Sequence, residues 1–320
     1  MTDWFLIFIG LTLLLAGGEA MVRGASGIGL LARLSPSVVG LTIVAAGTSM
    51  PELVVSLQAA SEGLHGMALG NIVGSNVFNI GVVLGLTALL RPLTIHGNSV
   101  KFEWPVMLLA ACLLHLLVRD SQLDRLEAGF LLSALLAFIA YVVWVARKNT
   151  SEMERQEFSE GMPNSLLGSS GGKAWTYNIA AVIVGAALLA FGSDTMVRGA
   201  VGVATAFEIS PTVIGLTIVA GGTSTPELVT SLVAAWKGKD DMAVTNVLGS
   251  NIFNVFGIAG ATALVEPIPV PELLFQRDTW WMLGLSALLF PLMRSGMRIT
   301  RVEGAVLLLV FGGYLVVILR

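Results

Sequence analysis

The sequence predicts an all-α polytopic membrane protein whose ten transmembrane helices form two inverted five-helix repeats. Three observations predict it. First, 55% of the 320 residues are hydrophobic and only 12% are charged, with a mean hydropathy of +0.83. That is about half the charge of an average soluble chain, too little to cover a water-facing surface. Second, long apolar runs recur along the chain. Third, the second half repeats the first.

A bilayer core takes roughly 20 apolar residues per helix. Runs near that length lie at 4–22, 37–60, 67–90, 104–118, 127–146, 176–196, 212–236, 242–265, 280–293 and 302–319. The fourth and ninth are short and are expected to extend into their flanks. Residues 1–22 read as a span and not as a cleaved signal peptide. Asp3 stands where a basic segment would, and no small-residue cleavage site follows. The polar stretch 147–175, with its Ser, Gly, Glu and Lys, is too short for a domain and reads as a flexible linker. It separates an N-terminal repeat (1–146) from a C-terminal one (176–320).

The repeat is explicit. LSPSVVGLTIVAAGTSMPELVVSLQAASEG (34–63) aligns with ISPTVIGLTIVAGGTSTPELVTSLVAAWKG (209–238) at an offset of 175, and GNIVGSNVFN (70–79) with TNVLGSNIFN (245–254) at the same offset. Between 34 and 90, 33 of 57 positions are identical to their partners. Five spans per half is an odd number, so the second half enters the membrane from the opposite side. The halves are then related by a pseudo-two-fold axis in the membrane plane, as in many secondary transporters. Orientation follows from Lys and Arg. With the N-terminus outside, only Arg119, Arg125, Arg198, Arg277 and Arg320 of the 18 basic residues fall outside. The positive-inside rule therefore puts both termini outside and the linker in the cytoplasm.

Composition also excludes chemistry. One cysteine, Cys112, rules out a disulfide framework or a thiolate metal cluster, and His65, His96 and His115 lie on separate segments. A net charge of −3 gives no reason to expect a nucleic-acid partner.

Acidic side chains are nearly absent from the span interiors; the exceptions, Glu52 and Glu227, are repeat equivalents. An acid at mid-span costs about 2.5–3.5 kcal/mol even on lenient scales, so a matched pair implies a paired function. Thr48 and Glu52 are i and i+4 and share a helix face with Ser49 beside them. Pro51 deletes a backbone donor and crowds the carbonyl of Gly47, opening the helix there; Pro226 does the same to Gly222. Freed carbonyls survive in a bilayer only where they line a cavity. Eleven residues separate Glu52 from a turn expected at Gly63, and twelve separate that turn from Ser75. At ~1.5 Å per residue both lie near the midplane. Ser75 and Asn79 again share a face. The second half repeats the set as Thr223, Ser224, Glu227, Ser250 and Asn254. Oxygen ligands without imidazole or thiolate select hard cations; two carboxylates with neutral oxygens suit Ca²⁺, and Mg²⁺ sheds its waters too reluctantly.

These motifs resemble the calcium/cation antiporter superfamily, specifically its sodium/calcium exchanger type. GTSMPEL (47–53) with GNIVGSNVFN resembles that family's first alpha repeat, and GTSTPEL (222–228) with TNVLGSNIFN its second. The whole chain is most similar to the short bacterial calcium/sodium antiporters of the YrbG type. The resemblance implies ten helices and exchange of several Na⁺ for one Ca²⁺ by alternating access, at a site between the second, third, seventh and eighth. It implies calcium carboxylates at Glu52 and Glu227 with backbone oxygens at Thr48 and Thr223. Sodium sites would add Ser49, Ser75, Ser224, Ser250 and the carbonyls of Ala45 and Ala220. Asn79 matches the family's first-repeat asparagine, whereas Asn254 stands where well-known exchangers carry Asp, which leaves stoichiometry and the driving ion open. The expected protein is a multi-pass bacterial inner-membrane antiporter, functional as a monomer in lipid, without cofactor or obligatory protein partner.

Other features read as structural. Glu19 and Asp194 each precede an arginine by four (Arg23, Arg198), the spacing of a helical ion pair. Cys112 reads as a small apolar residue, and Lys237, Lys239, Asp240 and Asp241 as a solvated loop. A proton/calcium antiporter on the same scaffold is the nearest rival, although its members carry a different glutamate motif. An intramembrane hydrolase lacks a histidine near either motif. A calcium channel would need no counter-ion.

Overall fold

The computed structural model describes residues 2–95, 98–149, 172–208 and 220–319. Most of the expected linker, and the first residues of the second copy of the repeat motif, lie outside them. The helices are α1 (Thr2–Ala32), α2 (Pro36–Thr48), α3 (Met50–Ser61), α4 (His65–Leu90), α5 (Ser99–Asp120) and α6 (Arg125–Asn149) in the first half. The second half has α7 (Gly172–Ala206), α8 (Ala220–Thr223), α9 (Thr225–Trp236), α10 (Asp240–Val265), α11 (Thr279–Arg294) and α12 (Arg301–Ile318).

Among the described residues, seven helices are long and apolar enough to cross a membrane, or eight if the bent α2–α3 pair is one span. Two expected spans are not in that count. The run 212–236 begins outside the described residues. The run 280–293 lies in a helix that continues without a break from 272 to 294 through the π-helical turn Leu274–Asp278, so it extends into its flank as expected although it falls outside that count. The short fourth run does extend into both flanks, as Ser99–Asp120.

Helices α4 and α10 are the most buried, while α1 and α7 form a closely packed pair against α2, α3, α8 and α9. Glycine permits that approach. A Cβ on Gly17 would lie 2.8 Å from the Leu189 amide nitrogen, and one on its repeat equivalent Gly192 2.8 Å from that of Leu14. Both are backbone atoms that cannot swing aside.

Two short antiparallel ribbons tie the halves together. β1 (Leu93–Thr94) pairs with β4 (Arg298–Ile299), and β2 (Gln122–Leu123) with β3 (Ile268–Pro269). Leu93, Ile299, Leu123 and Ile268 are fully buried, so each ribbon closes an end of the core. The α3–α4 turn falls at Gly63 as expected, and its equivalent at Gly238; both have φ +75°, which only glycine adopts without strain.

The run Lys237–Asp241 is only in part the solvated loop that its charges suggest: Lys237 is exposed, whereas Lys239, Asp240 and Asp241 are half-buried. Lys237 Nζ pairs with Glu19 Oε1 at 2.6 Å, and Arg23 holds the same carboxylate. Lys239 is half-buried and donates to Ser26 Oγ at 2.7 Å. Asp240 accepts from the Thr94 amide at 3.2 Å and lies 3.7 Å from Arg91. The turn is thus fastened to α1 and to β1. The Asp194–Arg198 pair forms as its spacing predicts, at 2.9 Å.

Candidate ion-binding site

The site is built around two helix breaks. Between α2 and α3 the chain bends by 43° at Ser49, whose φ −84° and ψ 8° leave the helical region. Pro51 follows in the first turn of α3, where its missing N–H needs no partner. Ser224 repeats the break with φ −89° and ψ 8°, ahead of Pro226. The Gly222 carbonyl, opposite Pro226, accepts instead from the Ser193 hydroxyl of α7.

Each break aims a glutamate inward from the first turn of the following helix. Glu52 and Glu227 are fully buried, and each is held by a serine of the opposite half. Ser49 Oγ donates to Glu227 Oε1 at 2.8 Å, and Ser224 Oγ to Glu52 Oε1 at 3.1 Å. Ser250 Oγ approaches Glu227 Oε1 at 3.4 Å from α10, the facing contact that equal distance from the turn predicts. Thr48 Oγ1 lies 3.5 Å from Asn246 Oδ1, and Thr223 Oγ1 lies 3.5 Å from Asn71 Oδ1. The Ala45 carbonyl accepts from the Ser49 amide at 3.0 Å and the Thr48 hydroxyl at 3.3 Å. Ala220 opens α8, directly ahead of the second break.

The remaining expected residues supply unsatisfied oxygens. Glu52 Oε2, Glu227 Oε2, Ser75 Oγ, Asn79 Oδ1 and Asn254 Oδ1 are all buried without a hydrogen-bond partner. A buried orphan polar atom costs about 1–3 kcal/mol, and more when charged. Five such oxygens on residues drawn from both halves fit the demands of a hard, oxygen-seeking cation. Among the described residues no group of three or more Asp, Glu, His or Cys is placed to hold a metal ion. Neutral oxygens must therefore complete any coordination that the two carboxylates begin.

Four asparagines escaped the sequence reading as site residues. Asn71 Nδ2 donates to the Glu52 carbonyl at 3.2 Å and to Ser56 Oγ at 3.0 Å. Asn246 does the same to the Glu227 carbonyl at 3.4 Å and Ser231 Oγ at 2.9 Å. Asn76 and Asn251 bridge the halves. The signal was present: all four are amides inside the repeated motifs, matched at the offset of 175.

Comparison with known proteins places this geometry. The family model described as "Sodium/calcium exchanger protein" matches residues 2–144 and 177–320. A putative antiporter, CaxA, of Alkalimonas amylolytica is 38% identical over 96% of both chains. The inner membrane protein YrbG of Escherichia coli is 34% identical, covering 88% of this chain and 85% of its own. A solved structure of the sodium-calcium exchanger NCX_Mj, soaked with zero Na⁺ and Ca²⁺, superposes with a TM-score of 0.81 over 99% of both chains at 29% identity.

Proposed function

Because the chain belongs to the sodium/calcium exchanger protein family, we propose that it is a secondary active antiporter exchanging Na⁺ for Ca²⁺ by alternating access. One observation carries this reading. The two buried glutamates are each bonded by a serine of the opposite half, and each keeps a partnerless Oε2 alongside the partnerless oxygens of Ser75, Asn79 and Asn254. Glu52 and Glu227 bind Ca²⁺ with the backbone oxygens of Thr48 and Thr223. Ser49, Ser75, Ser224, Ser250, Asn79, Asn254 and the carbonyls of Ala45 and Ala220 serve the sodium sites. Two ionised glutamates carry a charge of about −2, which one Ca²⁺ balances; the amide of Asn254 adds an oxygen and no charge.

The ten spans form two inverted repeats, 1–146 and 176–320, with the site at the midplane between them. The antiporter works as a monomer in the bacterial inner membrane, with both termini outside and the 147–175 linker in the cytoplasm. The crossed Ser49–Glu227 and Ser224–Glu52 bonds support a mechanism in which ions replace these hydroxyl donors as they load. Each bond ties one half's break to the other half's acid, so loading changes how the halves are fastened.

Proteoliposomes loaded with Na⁺, with an acid interior, or with neither, test the reading through uptake of labelled calcium. Uptake that requires internal Na⁺ is expected. Uptake driven by internal acid would replace it with proton coupling, and uptake without any counter-gradient with a channel.

A further inference from the structure

The four asparagines at positions 76, 79, 251 and 254 form a closed cross-half network whose orientation is fixed by its backbone members. Asn76 Nδ2 lies 3.4 Å from the backbone carbonyl of Asn251, and Asn251 Nδ2 lies 3.3 Å from that of Asn76. A carbonyl only accepts, so each side chain must present its NH₂ there. The same two NH₂ groups also face thioethers, Met282 Sδ at 3.5 Å and Met107 Sδ at 3.7 Å. Both amides therefore turn their oxygens the other way. Asn76 Oδ1 accepts from Asn254 Nδ2 at 3.0 Å, and Asn251 Oδ1 accepts from Asn79 Nδ2 at 3.1 Å. The chain of constraints ends on Asn79 Oδ1 and Asn254 Oδ1, which are buried and receive no donor.

We infer that Asn76 and Asn251 are positioning residues: each locks the amide of its partner, Asn254 or Asn79, with the carbonyl oxygen turned toward the ions and the NH₂ turned away. The inference rests on the proposed ligand role of Asn79 and Asn254. An unbraced amide rotates freely and presents its NH₂, which repels a cation, as readily as its oxygen. The brace also accounts for an amide at 254. A carboxylate has no N–H to give, and it would set two acceptors face to face across the Asn76 contact.

The test is a set of double-mutant cycles read by equilibrium sodium binding to purified protein, as displacement of labelled calcium, and by the KM for Na⁺ and the kcat of sodium-driven uptake. Asn76→Ala and Asn254→Ala are each expected to weaken sodium binding about tenfold, raising the KM for Na⁺ while kcat stays within about twofold. If Asn76 acts through Asn254, the double variant binds no more weakly than the worse single one. The mismatched double, Asn76→Ala with Asn79→Ala, shows the product of its two effects, and Asn251→Ala mirrors this pattern with Asn79→Ala. Multiplicative losses in the matched pairs, or unaltered binding in Asn76→Ala and Asn251→Ala, would overturn the inference. Unaltered binding in both Asn79→Ala and Asn254→Ala would instead remove the ligand reading beneath it. Should one brace variant fail to purify, the cycle around the other carries the test.

Discussion

Replacing Lys239 with methionine should remove a rise in stability that the buried ammonium predicts between neutral and alkaline pH. Burial against α1 is the main cause that pushes this ammonium from 10.5 down to about 8; nearby Lys237 adds to it and Glu19 opposes it. The folded state therefore releases the proton more readily than the unfolded chain. Below about pH 8 both states hold it and the full cost of the buried charge is present. As pH rises from 8 toward 10.5 the folded state sheds it first, and stability climbs. Integrating between pH 7 and pH 10 gives a gain of about 2.5 kcal/mol from this one group. Methionine keeps the stem and removes the charge, so the variant should lack that increment. At pH 7 it gains the relieved desolvation and loses the bond to Ser26, which contributes about 1.5–3 kcal/mol; the two nearly cancel. The assay is thermal unfolding in detergent across this pH range for both proteins. Parallel curves would refute the reasoning and return Lys239 to the solvent.

Gly192→Leu, which drives a side chain into the Leu14 amide and the Gly10 carbonyl, should lower stability by about 1–3 kcal/mol; an unchanged Tm would mean that α1 and α7 are not in contact there. Asn246→Ala leaves the Glu227 carbonyl and the Ser231 hydroxyl without their donor, so a similar loss of about 1–3 kcal/mol is expected, measured by unfolding in detergent. Single cysteines introduced into a Cys112→Ala background should react from the outer face at both termini and in the Arg119–Arg125 loop, and only from the inner face in the 147–175 linker. Outer-face labelling of the linker would reverse the proposed topology.

Much of this architecture was legible because hydropathy and repetition are local properties. The offset of 175 paired Glu52 with Glu227, and Pro51 announced the break that the chain makes at Ser49. Gly63 marked its turn. What repetition cannot supply is proximity: it states that Ser49 is equivalent to Ser224, not that Ser49 lies 2.8 Å from Glu227. Repetition likewise matched Asn71 with Asn246 without showing that each bonds the backbone carbonyl of its own half's glutamate and a serine hydroxyl. Lys239 misled because a run of charges ordinarily stays in water, and the residue that receives it, Ser26, is far away along the chain. The π-helical turns at Asn79–Leu84 and Phe253–Ala259 had no sequence signal that we can identify. They recur at matching places in both halves, directly beside the candidate ion site, and such turns are frequent at functional sites.

The central claim is that two glutamates from opposite repeats bind one calcium ion. Glu52→Gln and Glu227→Gln keep the side-chain shape and the accepting oxygen while removing one charge each. Sodium-driven calcium uptake should be measured in proteoliposomes for both variants, with insertion and folding verified by monodispersity and by unfolding. The account predicts that each variant inserts and folds but loses exchange. Wild-type exchange in either one would contradict it.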